Sequence, residues 1–236
     1  MPFAPVLHAE WIKIRTLRSL LGALAAILVA TAAFSALAAA DADGSDPLFS
    51  VFFGVSFGQI AAIAFGTTAV SSEFRGGALR LSLAAVPDRG RWFAAKATAI
   101  ALPALAVGLL TGFVTLLVGR AVLGTAAPGW TEGLRGAVGC ALHLTLMALF
   151  AAGLAAVLRS GVATLSVLIP FLLIVSFVIG DLSGSAADFL PDRAGQVALH
   201  SGWDGALGPW SGLAVTALWT AAALLAGAWS VRRRDA

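Results

Sequence analysis

Residues 136–158 read GAVGCALHLTLMALFAAGLAAVL, twenty-three positions without one Asp, Glu, Lys or Arg. As an α-helix rising about 1.5 Å per residue, this run matches a bilayer hydrocarbon core of about 30 Å. A transmembrane β-strand needs only about 9–11 residues and alternates apolar with polar positions. The run is longer than that and apolar on all sides, so its reading is a membrane-spanning helix. Arg135 closes it on one side and Arg159 on the other. Outward from it the same pattern recurs in the charge-free windows 19–40, 47–72, 97–119, 160–180 and 205–231, each 21 to 27 residues long. Within the last window the helix is expected at about 209–231. The chain therefore reads as an all-α membrane protein with six transmembrane helices in a single domain over 1–236.

Composition agrees. The chain is 59% hydrophobic and 11% charged, with a mean hydropathy of +0.93. A soluble domain is about 45–50% apolar and about 25% charged. So little charge cannot cover a globule, which excludes a soluble monomer and excludes disorder. The first window could be taken for a signal peptide, but a signal core is about 7–15 residues. At 22 residues the window favours a retained helix. Cys140 is the only cysteine, so neither an internal disulfide nor a cysteine-rich zinc site is possible. The net charge of +3 is small, and no nucleic-acid partner is expected.

The loops set the expected orientation. One side holds Lys13, Arg15, Arg18, Arg75, Arg80, Arg89, Arg91, Lys96, Arg159 and Arg232 to Arg234, twelve basic residues. The other holds Arg120, Arg135 and Arg193. An excess of Lys and Arg marks the cytoplasmic side, so both termini are expected inside. Pro47 suits the first turn of the second helix, whereas Pro103 and Pro170 fall within helices and suggest kinks. Trp11, Trp92, Trp130, Trp203 and Trp210 lie near expected interfaces, as aromatic anchors do. Gly54/Gly58 and Gly108/Gly112 have the small-xxx-small spacing that lets helices approach closely.

Between the helices, residues 5–18 form an amphipathic stretch. Leu7, Trp11, Ile14, Leu17 and Leu21 recur at helical spacing, with Glu10, Lys13 and Arg18 largely on another face. The expectation is a helix lying in the membrane interface, apolar side down. In the segment 73–96, Leu79, Leu83 and Val86 repeat at helical spacing until Pro87 stops the pattern. A short helix with basic residues on both sides is expected there. Arg159-Ser160-Gly161 allows only an antiparallel hairpin, and 181–208 is expected to hold short helices dipping toward the membrane.

Chemical motifs are sparse. Lys13 follows Ile12 and Lys96 follows Ala95, so no Gly-Lys-Ser/Thr phosphate loop exists. Gly54-Val55-Ser56-Phe57-Gly58 matches GxSxG and would make Ser56 a nucleophile with His143 as base. It sits in an apolar helix, where a chance match is favoured. The acids from Asp41 to Asp46 lack the spacing of a calcium loop and read as a solvated linker. His8, His143 and His200 are too scattered for zinc. None of the six windows holds a charge, which weighs against an ion-coupled carrier. Gln59, Thr67, Thr111 and Thr115 are candidates for a translocation path, or for bonds between helices.

These segments resemble the membrane subunit of ABC-2 type transporters, the ABC-2 permease family. The N-terminal Glu10-Trp11-Ile12-Lys13-Ile14-Arg15-Thr16-Leu17-Arg18 is similar to the start of bacterial members. Glu73-Phe74-Arg75-Gly76-Gly77, Arg80, Leu83-Ala84-Ala85-Val86-Pro87, Arg89 and Ala95-Lys96 carry the more specific likeness. Leu190-Pro191, Ala194-Gly195-Gln196 and the Arg232-Arg233-Arg234-Asp235 tail add to it. The resemblance implies an elbow helix bearing Trp11, Lys13, Arg15 and Arg18, and a coupling helix between the second and third spans. Glu73, Arg75, Arg80 and Arg89 would fall in that coupling region, against a separate ABC ATPase that binds the ATP. It further implies outer re-entrant helices between the fifth and sixth spans, pairing with a second permease copy or paralogue, and residence in the bacterial plasma membrane. The function implied is export of a drug, antibiotic, lipid or peptide, by a chain that holds no cofactor and is not itself an enzyme. The alternatives are an ion-coupled secondary transporter and, remotely, an intramembrane serine protease.

Overall fold

The computed structural model describes residues 2–42, 44–172, 184–202 and 205–233. All regular structure among them is helical. In chain order the helices are α1 (Phe3–Thr16), α2 (Arg18–Ala40), α3 (Pro47–Phe52), α4 (Val55–Ser71), α5 (Ala78–Ala85), α6 (Arg89–Leu123), α7 (Trp130–Leu158), α8 (Gly161–Pro170), α9 (Pro191–Gln196) and α10 (Pro209–Arg233). Short 3₁₀ turns cover Ser72–Phe74, Gly124–Ala126, Gly184–Phe189 and Val197–Leu199. Five stretches among the described residues are long and apolar enough to cross a membrane: Arg18–Ala40, Pro47–Phe74, Arg89–Ala126, Trp130–Leu158 and Pro209–Arg233. The protein is a multi-pass helical membrane protein. Of the expected fifth span, 160–180, the described residues include only the short apolar helix α8 and a π-helical turn at Phe171–Leu172; residues 173–180 lie outside the described residues.

The helix built from the opening stretch, α7, is the axis of the bundle. About 67% of its span is buried, against 28% for α2 and 33% for α10. It packs against α4, α6 and α10, while α2 closes the far side of α4 and α6. Both small-xxx-small pairs lie at such crossings. A Cβ at Gly58 would overlap Thr31 of α2, and Cβ atoms at Gly108 and Gly112 would press on the α7 backbone at Ala141 and Ala137. Membrane helices have little hydrophobic drive to associate, so close backbone contact supplies the packing.

Two helix boundaries and one expected anchor differ from the sequence reading. The window 47–72 is interrupted at Phe53–Gly54, between α3 and α4. There the backbone of α2 comes so near that only glycine fits, and Gly54 N donates to Ser35 Oγ at 3.0 Å. The third long helix starts at Arg89 rather than 97, runs through Pro103, and so contains Lys96. Trp92, expected as an interface anchor, is 1% exposed in the core; Trp130 and Trp210 are exposed, and Trp203 lies outside the described residues.

Two ends of the bundle are tied differently. At one end Asp46 caps α3 by accepting from Phe49 N at 3.0 Å, and its carboxylate also receives Ser201 N at 3.1 Å and meets His200 Nδ1 at 2.9 Å. Asp46 is thus a clip between loops rather than part of a solvated linker. Burial pushes its carboxyl up, but the Phe49 and Ser201 backbone bonds and His200 outweigh this and hold it below the ordinary 3.8. The short helices of 184–199 fold back on α7 and α10, with Pro191, Ala194 and Val197 buried. At the opposite end α1, α5, the start of α6 and the end of α10 gather. Arg89 Nη1 donates to Val231 O at 2.9 Å and to Arg232 O at 3.3 Å, satisfying carbonyls that the end of α10 leaves open.

Candidate functional site

The end that gathers α1 and the close of α10 holds the candidate site. After α4, Phe74 leads into Gly76 and Gly77, whose φ angles of 60° and 74° are left-handed. Glycine adopts this region at little cost, and two in succession turn the chain from α4 into α5. Helix α5 then lies across the bundle end on Leu79, which is 5% exposed, with Leu83 and Val86 packed beside it. Its other face carries Leu81, 74% exposed, and the exposed Arg80; Arg75 is exposed in the turn before it. This is the short helix expected from the Leu79/Leu83/Val86 spacing.

Beneath α5 lies a cluster of two acids and two lysines. Glu73 Oε1 accepts from Lys96 Nζ at 2.6 Å and from Lys13 Nζ at 2.8 Å. Lys13 Nζ also pairs with Glu10 Oε1 at 3.0 Å, and Lys96 Nζ pairs closely with Glu10 Oε2. Ser82 Oγ donates to Glu73 Oε2 at 3.1 Å, which brings α5 into the network. The side chains of Glu10, Glu73 and Lys96 are each 4% exposed, and that of Lys13 36%. Lys13 loses hydration by burial, which lowers its pKa; the Glu73 hydrogen bond and the charges of Glu10 and Glu73 prevail and hold it above 10.5. Opposite charges at these distances replace the water that burial removes. The cluster is formally neutral and joins α1, the end of α4, α5 and α6.

Helix α1 turns an acid toward the bundle and leaves Leu7 and Trp11 of its apolar stripe half-buried. Val6, Glu10 and Ile14 are buried, whereas Ile12 and Leu17 are 47% and 41% exposed. Burying Glu10 is tolerated because Lys96 and Lys13 neutralise it. Cavities flank α5 on both sides: about 230 Å³ toward α1, between Val6, Lys13 and Ser82, and about 380 Å³ toward Arg159, between Glu73, Phe74 and Arg80.

Of the residues singled out from sequence, Glu73 and Lys13 sit in the cluster, Arg75 and Arg80 stand on its outer side, and Arg89 caps α10. Trp11 is half-buried on α1; Arg15 and Arg18 are exposed. Glu10, Lys96 and Ser82 were not recognised as members. For Lys96 a signal existed: Trp92, Lys96, Ala99 and Pro103 continue one helical face beyond the window edge.

The four path candidates have different surroundings. Gln59 Oε1 pairs with His143 Nε2 at 3.0 Å between α4 and α7. Thr67 lines a small cavity of about 110 Å³ beside α8. Thr111 and Thr115 are fully buried in α6, and their hydroxyls, like that of Thr67, have no hydrogen-bond partner among the described residues. Ser56 Oγ donates to Gln196 Oε1 at 3.2 Å, so Ser56 and His143 are each bonded to a different glutamine. Among the described residues no group of three or more His, Cys, Asp or Glu is placed to hold a metal ion. No family model matches the chain, and no curated protein matches it.

Proposed function

We propose that the protein is the membrane-spanning permease subunit of an ATP-driven exporter, powered by a separate ATPase that docks on α5. The observation that carries this reading is the seating of α5. It presents Arg75, Arg80 and Leu81 outward, while Ser82 and Glu73 link it through buried charges to α1 and α6. Cavities on both sides leave it room to shift, and the ion network gives any shift a stiff route into the spans. In this reading the basic end, with both termini, faces the cytoplasm. The sixth span is completed through 160–180, the membrane is the bacterial plasma membrane, and a second permease copy or paralogue forms the other wall of the path. The cargo is a small or amphipathic solute.

The buried carboxylates of Glu10 and Glu73 favour one alternative, an ion-coupled carrier. Each is neutralised by a lysine, which leaves neither acid free to take up an ion, so the ATP-driven reading is preferred. Co-expression with a candidate ATPase separates the two. Co-purification and stimulated ATP hydrolysis on assembly are expected. Solute transport by the chain alone, driven by an ion gradient in proteoliposomes, would overturn the proposal.

A further inference from the structure

We propose that the groove between α1 and α6 seats an acyl chain of one anionic phospholipid, whose phosphate is held by Arg15 and Arg18. The groove has a volume of about 510 Å³ and is walled by Leu7, His8 and Trp11 of α1 and by Leu102, Pro103 and Ala106 of α6. That volume falls within the range of small-molecule pockets, about 300–1,000 Å³. Its walls are apolar except for His8 and the indole nitrogen of Trp11. Leu102, 52% exposed, stands on the face of α6 that also exposes Leu110, Phe113 and Leu117, a surface suited to lipid.

The charge lies one turn further on. Ala4, Leu7, His8, Trp11 and Arg15 share one face of α1 by their i+3 and i+4 spacing. Arg18 opens α2 immediately after. Both arginines are exposed, and neither has a hydrogen-bond or ion-pair partner among the described residues. Lys13, on the neighbouring face, is by contrast committed to Glu10 and Glu73. Tryptophan settles at headgroup depth, so Trp11 places Arg15 and Arg18 where a lipid phosphate lies. A guanidinium grips phosphate in bidentate fashion, and basic sites beside membrane helices take anionic headgroups. An apolar groove, with two exposed arginines following Trp11 by four and seven residues along the chain, complements such a lipid at both of its ends. This assignment needs only that the protein sits in a membrane and does not depend on the ATPase reading.

The test uses the full chain in detergent, titrated with phosphatidylglycerol or phosphatidylcholine and read by native mass spectrometry. Wild type should hold one phosphatidylglycerol in preference to phosphatidylcholine. Losing each arginine should weaken binding about fivefold, so Arg15→Ala/Arg18→Ala should abolish the preference. Ala106→Trp, which fills the groove, should lower the binding of both lipids. Equal binding of the two lipids by wild type, or unchanged binding in either variant, overturns the proposal. So does a shift in oligomeric state by Ala106→Trp at unchanged lipid content, which would give the groove to a second copy.

Discussion

Replacing Glu73 by Gln keeps its shape and removes one charge from a neutral group of four. Lys96, 4% exposed, and Lys13 must then share the single carboxylate of Glu10, and a net positive charge is left buried. Breaking a buried ion pair from one side costs about 3–5 kcal/mol. The Lys13 contact adds little, because that side chain is 36% exposed and water screens it. Lys96→Met leaves the opposite excess, two buried carboxylates against Lys13, and should cost a similar amount. The double variant is the decisive one. Glu10 and Lys13 remain, already paired at 3.0 Å within α1, and the buried group is neutral again. Its stability should lie closer to wild type than that of either single variant, with a coupling energy above about 2 kcal/mol. Cys140 supplies the assay: it is the only cysteine and is fully buried in α7, so its maleimide labelling during denaturant titration reports opening of the bundle. If a single variant fails to accumulate, recovery of yield in the double variant is the same result. Additive losses of under about 1 kcal/mol each would refute the buried network and mean that water reaches these charges.

Two further outcomes are expected. Arg75→Glu and Arg80→Glu reverse charge on exposed positions, so unfolding should shift by no more than about 0.5 kcal/mol, whereas ATPase docking measured by pull-down should weaken at least about tenfold; unchanged docking and transport in both variants would remove α5 as the contact. Asp46 has a folded pKa below its ordinary 3.8, so its stabilisation is complete above that value and is lost as pH falls through the folded pKa. Asp46→Asn should therefore be less stable than wild type by roughly 1–2 kcal/mol near pH 6, and the gap in melting temperature should close as pH falls through the folded pKa of Asp46; a gap that is the same near neutrality and in strong acid would exclude the carboxylate as the clip.

How much of this was legible follows from what each residue contacts. The long helices were readable because a charge facing lipid without a partner is prohibitively costly; runs free of charge therefore coincide with α2 and α10 nearly end to end and with α7 from 136 onward. The short helix α5 was readable from Leu79, Leu83 and Val86, since a helix resting on one face needs that spacing. Less visible was the interruption at Gly54. It depends on the approach of Thr31 and Ser35 from α2, and nothing local distinguishes this glycine from the others. The same applies to α1, whose inward face includes an acid because Lys96, 86 positions away, neutralises it together with Lys13.

Lys96 shows where the charge rule stops working. Taken as a boundary, it set the third window at 97, eight positions inside the true start of α6. A rule that ends a helix at every charge holds for Arg159, the C-cap of α7, whereas Arg135 lies five residues inside that helix. It fails for Lys96 because Glu10 and Glu73 supply the opposite charge that water would otherwise screen. Pairing of this kind is a property of the folded arrangement, and the three residues are too far apart in the chain for local spacing to reveal it. The missed residues are for that reason concentrated where α5 meets the bundle. A junction between elements remote in sequence is built from contacts that no single window contains. Scarce charge in a membrane protein is thus informative in two ways: unpaired, it marks where the chain leaves the lipid; paired and buried, it marks which helices are tied to one another.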